Sequence, residues 1–268
     1  YAASFDNRTG HLLTLDYGNG NILKGPIVPN FWRAPIDNDF GFGMPRRFGV
    51  WKQATMDLKL TDFRLEKSAN PKVTATYQLP SVKAKAVLSY SFNAEGQILV
   101  SSTLEGVADS LPEIPRIGNN LILNNAYHNV SWHGRGPHEN YQDRYTSAFV
   151  GSYEMKVGDL YYPYERPQEN GYRTGIREVS FTNKDGKGIK IMAVRDLLGF
   201  SAHHQLNGDF DEGKEKIQRH AYHIPVRNLV NVNIDYAQMG VGGDNSWGYR
   251  PHDQYMILPK DYQYSYLI

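Results

Sequence analysis

What most constrains this chain is a two-residue alternation of apolar and polar side chains, repeated in short runs bounded by Asn, Gly and Pro. Residues 58–66 read Leu-Lys-Leu-Thr-Asp-Phe-Arg-Leu-Glu. Val73, Ala75 and Tyr77 alternate with Lys72, Thr74 and Thr76. Residues 84–92 and 97–104 flank the hairpin turn Asn93-Ala94-Glu95-Gly96, and Leu12-Leu13-Thr14-Leu15 follows the turn-like Asp6-Asn7-Arg8-Thr9-Gly10. The second half repeats the style. Residues 176–182 and 188–194 flank Asn183-Lys184-Asp185-Gly186-Lys187, residues 229–236 alternate, and residues 262–268 end the chain as Tyr-Gln-Tyr-Ser-Tyr-Leu-Ile. A period of two places one set of side chains on a buried face and the other on a wetter one, which predicts antiparallel strands. Only residues 209–220 read as helical, with Asp209 as N-cap and Glu212 three residues on. With no repeat and no Ser/Gly linker, residues 1–268 are expected to form one large all-β antiparallel sandwich.

Composition removes several functions. Lys plus Arg number 29 and Asp plus Glu 28, without a basic run, so no nucleic-acid partner is expected. No apolar run reaches the ~18 residues of a membrane helix, so no membrane partner is expected either. The chain has no Cys, which excludes disulfides, thiolate zinc sites and thiol nucleophiles. It begins at Tyr1 with neither Met nor an apolar signal region, so a segment of a longer chain is expected, and the compartment is unreadable.

Three stretches resist the strand pattern: residues 25–51, 132–170 and 240–251. All are rich in Gly, Pro, aromatic and ionisable residues, and loops this long are more often functional or interface-forming than idle. In the first, Asp37 and Asp39 suit a calcium-type Asp-x-Asp array, but the later ligands and a bidentate Glu are absent. The plainer expectation is that Asp37 and Asn38 cap a turn and pair with Arg33. Gly41 and Gly43 give this loop freedom. In the second, Glu139 and Asp143 could form a glycosidic acid/base pair. The neighbouring Arg135 and Arg144 would lower their pKa values, which favours an ion-pair and capping network. Residues 163–171 have the same character.

In the third stretch, Gly240, Gly242 and Gly243 lack the strand-to-helix context and Lys of a phosphate cradle. Trp247 on this Gly-rich loop reads equally well as a platform stacking on the C–H face of a sugar or as a Trp tucked over a sheet edge. His203 and His204 are adjacent on a strand-like segment and point to opposite faces, so they do not make one metal site.

Four segments, in order, resemble one family. They are Arg33-Ala34-Pro35-Ile36-Asp37-Asn38-Asp39; Gly134-Arg135-Gly136-Pro137-His138-Glu139-Asn140-Tyr141-Gln142-Asp143-Arg144; Pro167-Gln168-Glu169-Asn170-Gly171; and Gly240-Val241-Gly242-Gly243-Asp244-Asn245-Ser246-Trp247. From about Phe5 to Ile268 the chain resembles the C-terminal small-chain domain (domain 5) of the bacterial β-galactosidases of glycoside hydrolase family 2. The resemblance implies a supersandwich similar to galactose mutarotase. It implies a parent enzyme that hydrolyses terminal β-D-galactosides such as lactose with retention, using two glutamates of a separate (β/α)8 barrel. Glu139, Glu165 and Glu169 then have structural roles, and no catalytic residue is expected here.

The resemblance places Trp247 against bound sugar, mainly in the aglycone or acceptor position, and makes Asp244 and Asn245 substrate-binding residues beside it. It makes the segment of Asp39, Gly41, Phe42 and Gly43 the border of the pocket. Trp32, Phe40 and Phe42 are expected to face that pocket as well. It leaves Arg33, Asp37, Arg135, Glu139, Asp143 and Arg144 as a structural network. It implies no cofactor or metal in this domain, the parent's magnesium and sodium being held by other domains. The implied partners are the rest of the enzyme chain with its barrel, the galactoside, and further copies in a homo-oligomer. Two other functions fit the fold: a stand-alone carbohydrate-binding module, and an aldose mutarotase drawing an acid and a base from His203, His220, His223 and Glu178.

Overall fold

The computed structural model describes residues 1–245 and 247–268. Sixteen strands follow in chain order: β1 (Ala2–Phe5), β2 (Leu12–Asp16), β3 (Leu23–Asn30), β4 (Lys59–Glu66), β5 (Lys72–Leu79), β6 (Ala84–Phe92), β7 (Ile98–Glu105), β8 (Arg116–Leu123), β9 (Asn129–Gly136), β10 (Phe149–Lys156), β11 (Arg173–Ile176), β12 (Glu178–Thr182), β13 (Gly188–Ala193), β14 (Leu198–His203), β15 (Val230–Gln238) and β16 (Tyr262–Leu267). β1 and β2 pair alone. Nine strands form one sheet in the order β10-β9-β12-β13-β16-β7-β6-β5-β4, and five form a second in the order β11-β14-β15-β8-β3. Every pairing is antiparallel, as the alternating runs predict.

The two large sheets share one continuous core. Phe200 of β14 lies edge-on to Trp132 of β9 and Phe181 of β12, with ring centroids 5.7 and 6.4 Å apart. The Tyr264 hydroxyl of β16 donates to the Ile234 carbonyl of β15 at 3.1 Å, pinning one sheet to the other. Aromatic edge contacts and satisfied hydroxyls make such an interface both apolar and specific.

Several expectations need correction. Residues 25–30 belong to β3, where Pro26 and Pro29 are tolerated because β3 is an edge strand. Residues 132–136 and 149–156 are also strand. Three short helices start within the first stretch, the last running beyond it: α1 (Asp37–Phe42), α2 (Met44–Arg47) and α3 (Gly49–Met56). Trp51 of α3 is fully buried and donates to the Pro112 carbonyl at 2.9 Å, so tertiary packing rather than helix propensity sets that segment.

Residues 209–220 do not form an α-helix. Asn207–Phe210 is one 3-10 turn, in which Asp209 Oδ2 accepts the Leu206 N–H at 2.7 Å. Gly213 sits at φ 88°, and Glu212 turns inward to Arg166 at 2.6 Å. Charges that would have lined an exposed helix face are used in long-range pairs. Residues 229–236 are not half-solvated either. Asn231 and Asn233 of β15 are buried, bonded to Asn120 at 2.7 and 3.1 Å, and Asn233 donates to Ser201 at 3.0 Å. That face is a closed amide network, which makes it compatible with burial.

Candidate functional site

The first and last loops meet through a buried ion pair. The Arg33 guanidinium grips both Asp39 oxygens, at 2.5 and 3.0 Å, with the two side chains 0% and 1% exposed. Burial pushes the Asp39 carboxyl up, and the Arg33 charge and hydrogen bonds pull it back. Asp39 Oδ2 also accepts the Ile36 N–H at 2.8 Å, which starts α1. Arg33 donates to the Gly240 carbonyl at 3.2 Å and Asn38 to the Val241 carbonyl at 3.1 Å. The Gly-rich loop is thus bonded directly to the first.

Asp143 completes the clasp. Its Oδ2 accepts the N–H groups of Val241 and Gly242 at 2.8 and 2.7 Å. A Cβ at Gly240 would lie 2.5 Å from that oxygen, so glycine is required for the carboxylate to come so close. Beyond it, Asn245 Oδ1 accepts the N–H groups of Trp247, Gly248 and Tyr249 at 3.1, 3.0 and 3.2 Å. A Cβ on Gly41 would meet the Trp247 carbonyl carbon at 2.8 Å, so the two loops touch backbone to backbone. Among the described residues Trp247 is held by its main chain, while the residue as a whole is 77% exposed. Of the two orientations open to it, the structure takes the projecting one. Asp244 extends to His252 at 2.8 Å, and Ser246 lies outside the described residues.

Trp247 lines a cleft of about 470 Å³ together with Phe40, Gly41, Gly43 and Arg46 of the first loop and Lys214, Glu215 and Lys216. The expected pocket border needs correction. Asp39 is buried under Arg33, and Phe42 packs on Phe48 with centroids 5.9 Å apart, so both anchor the loop from within. Trp32 is also buried and donates its indole N–H to Asp211 at 2.8 Å. Phe40 is partly buried, with the Arg166 guanidinium 4.8 Å from its ring centroid. Gly43 lines the cleft and closes α1 at φ 79°.

The expected network divides. Arg33 pairs with Asp39, not with Asp37, because the turn of α1 carries residue 39 inward. Asp37 instead accepts from Arg166 at 2.8 Å, Gln168 at 3.0 Å and Lys216 at 3.2 Å. Burial raises the Asp37 carboxyl and these three donors more than offset it, leaving it below the ordinary carboxylate range. Glu139 Oε1 takes Arg144 at 2.9 Å and the Tyr164 hydroxyl, and Oε2 takes the Gly171 N–H at 2.7 Å. Arg135 joins no carboxylate among the described residues. It donates to the Ala148 carbonyl at 3.0 Å and lies over the Tyr145 ring at 4.2 Å. Glu139 and Asp143 both hold backbone N–H groups, which is a structural use of a carboxylate.

The mutarotase set is not brought together: His203 is in the five-stranded sheet and Glu178 in the nine-stranded one. Burial, reinforced by Arg173 and Arg116, drops the His203 pKa to about 3, so its ring stays neutral beside Asn170. His204 bonds separately to the Leu229 carbonyl at 2.7 Å.

Sequence reasoning missed a second buried cluster. Arg116 contacts Glu169 and Asp235, each at 3.0 Å. Asp235 pairs with Gly118 on one neighbouring strand and Gly199 on the other. A Cβ at Gly118 would fall 1.8 Å from Asp235 Oδ1, and one at Gly199 would fall 1.9 Å from the Tyr172 hydroxyl. Burial, with Glu169 adding to it against the pull of Arg116, raises the Asp235 carboxyl to about 7. A lone acid at a core position of an alternating strand was the available signal.

A family model described as "Beta galactosidase small chain" matches residues 1–268. A β-galactosidase of Priestia megaterium is 31% identical over 259 residues, covering 96% of this chain and 24% of the relative. One of Streptococcus thermophilus is 33% identical over 252 residues, covering 92% and 24%. The chain therefore spans about a quarter of the length of these relatives. A solved GalM/aldose epimerase homologue from C. elegans overlaps 77% of this chain and 67% of its own at 10% identity and a TM-score of 0.39, an overlap too loose to bear on fold or function. With a match along its whole length and relatives above 30% identity, the chain belongs to the β-galactosidase small-chain family.

Proposed function

We propose that this chain is the non-catalytic wall of a β-galactosidase active site, acting on terminal β-D-galactosides whose glycosidic bond is cleaved by a catalytic barrel elsewhere in the enzyme. Trp247 supplies a stacking surface for the sugar in the aglycone or acceptor position. The observation that carries this reading is its mount: a Trp exposed to 77% on a backbone fixed by Asn245, Asp143 and the Gly41 contact. An aromatic on a fixed backbone presents a large apolar face without the cost of ordering its loop, which is what a stacking platform requires. Asp244 and Asn245 act through that loop. Asn245 orients it and Asp244 borders it. The carboxylates described above hold backbone and guanidinium groups, so no proton transfer is assigned to them. Metal ions and the remaining wall of the pocket belong, on this reading, to other parts of a homo-oligomeric enzyme.

The test is Trp247→Ala in the full enzyme. Loss of one stacking contact should raise KM for lactose by about ten-fold, equivalent to ~1.4 kcal/mol, with kcat changed far less. Unchanged kinetics across galactosides with different leaving groups would refute the assignment.

A further inference from the structure

The cleft beside Trp247 has a second wall that none of the four motifs includes. Residues 212–217 form it, and a buried acid fixes it. Glu212 has no exposed side-chain surface, accepts from Arg166 at 2.6 Å and takes the Ile217 N–H at 3.3 Å. Two further ion pairs tie this turn to α1 and α2: Glu215 to Arg46, and Lys216 to Asp37 at 3.2 Å. The turn is therefore tied to the helices that carry other residues of the same cleft lining. Its chemistry is the opposite of the indole's: Lys214 brings an ammonium to the cleft, beside the Glu215 and Lys216 charges that are held in ion pairs. Lys214 has no ion-pair partner among the described residues.

We infer that residues 214–216 bind the hydroxyls of saccharide that extends past the aglycone sugar stacked on Trp247, so that the cleft favours oligosaccharide leaving groups and acceptors over aryl ones. This rests on the Trp247 reading above. A pyranose has an apolar C–H face and a rim of hydroxyls. The face suits the indole, and the hydroxyls suit ionised side chains, which make the stronger hydrogen bonds. At about 470 Å³ the cleft lies within the range of roughly 300–1,000 Å³ typical of small-ligand sites. An aryl leaving group has a face and no hydroxyl rim. It can use Trp247 and gains nothing from the second wall.

The experiment uses the full-length enzyme with three substrates: a nitrophenyl β-galactoside, lactose, and a trisaccharide ending in β-galactose. The Lys214→Ala/Lys216→Ala double variant should raise KM for the trisaccharide about ten-fold more than KM for the nitrophenyl galactoside, the size expected for losing one or two charge-assisted hydrogen bonds. The Lys214→Arg/Lys216→Arg variant should restore most of that difference. An equal effect on all three substrates, or no effect on any, overturns the subsite. Trp247→Ala run in parallel separates the two readings. If it leaves lactose and trisaccharide kinetics unchanged, the stacking role fails, whereas a lysine effect confined to the trisaccharide still supports the second wall. Thermal melts of each variant guard against a folding defect.

Discussion

Replacing Asp39 by Asn keeps the shape of the side chain and removes its charge. Arg33 would then stay buried, at 0% exposure, with no anion against its guanidinium. Its other hydrogen bonds run only to the Ala34 and Gly240 carbonyls, each at 3.2 Å. Breaking a buried pair by removing one partner costs about 3–5 kcal/mol, because the remaining charge is desolvated and uncompensated. For a chain of this size each kcal/mol shifts the melting temperature by roughly 2–4 °C, so Asp39→Asn should lower Tm by about 10 °C. The effect should also have a place. Arg33 holds the carbonyl of Gly240, and Asp39 starts α1, whose Gly41 abuts Trp247. Hydrogen exchange at residues 241–249 should therefore speed up more than exchange in β5 or β6. Arg33→Met with Asp39→Leu, which removes both charges, should recover most of the loss in urea unfolding. A loss below ~1 kcal/mol for Asp39→Asn, with exchange at residues 241–249 unchanged, would show that the pair does not clasp the loops and would refute the reasoning.

Three further outcomes follow from the same geometry. Asp143→Ala strands the N–H groups of Val241 and Gly242, so stability should fall by about 2–3 kcal/mol in urea unfolding, with KM for lactose rising in the same variant. Asp235 gives a pH signature. Its carboxyl is raised from 3.8 to about 7 when folded, so between those values the folded chain holds a proton that the unfolded chain has released. That contribution is full below about pH 4 and lost as pH rises through about 7, with a ceiling of ~4 kcal/mol, and Asp235→Asn should flatten the fall in urea midpoints across this window. Gly41→Val should push the Trp247 backbone away, raising KM for lactose and lowering Tm by a few degrees, because the atoms its side chain meets are backbone; an unaltered KM and Tm would count against the backbone contact.

Local sequence revealed those elements whose burial is one-sided. β5, β6 and β7 bury alternate residues, so their side-chain period is visible in the letters. β14 is buried on both faces and β15 nearly so, and a polar row that is buried by amide pairing looks the same in sequence as one that faces water. The helices at residues 37–56 were hidden because they depend on distant partners: Arg33 for Asp39, and Pro112 for Trp51. The same dependence misled in the other direction at residues 209–220, where helix-forming charges are recruited by Arg166 and Arg227. At the candidate site, the motifs located both loops, but only the fold could tell that Asp39 and Phe42 face inward and that residues 214–216 line the same cleft as Trp247.

The mount of Trp247 has a consequence for how its specificity can change. Every bond that fixes this residue is made to main-chain atoms: its N–H by Asn245, its carbonyl carbon against Gly41, the preceding turn by Asp143. The scaffold is therefore indifferent to which side chain position 247 displays. Exchange of the indole for another aromatic or a polar group should alter what is contacted without re-forming the loop. If Trp247 stacks on sugar as proposed, binding preference can then drift by single substitutions on an unchanged frame, and saturation of this one codon is the shortest experimental test of acceptor choice.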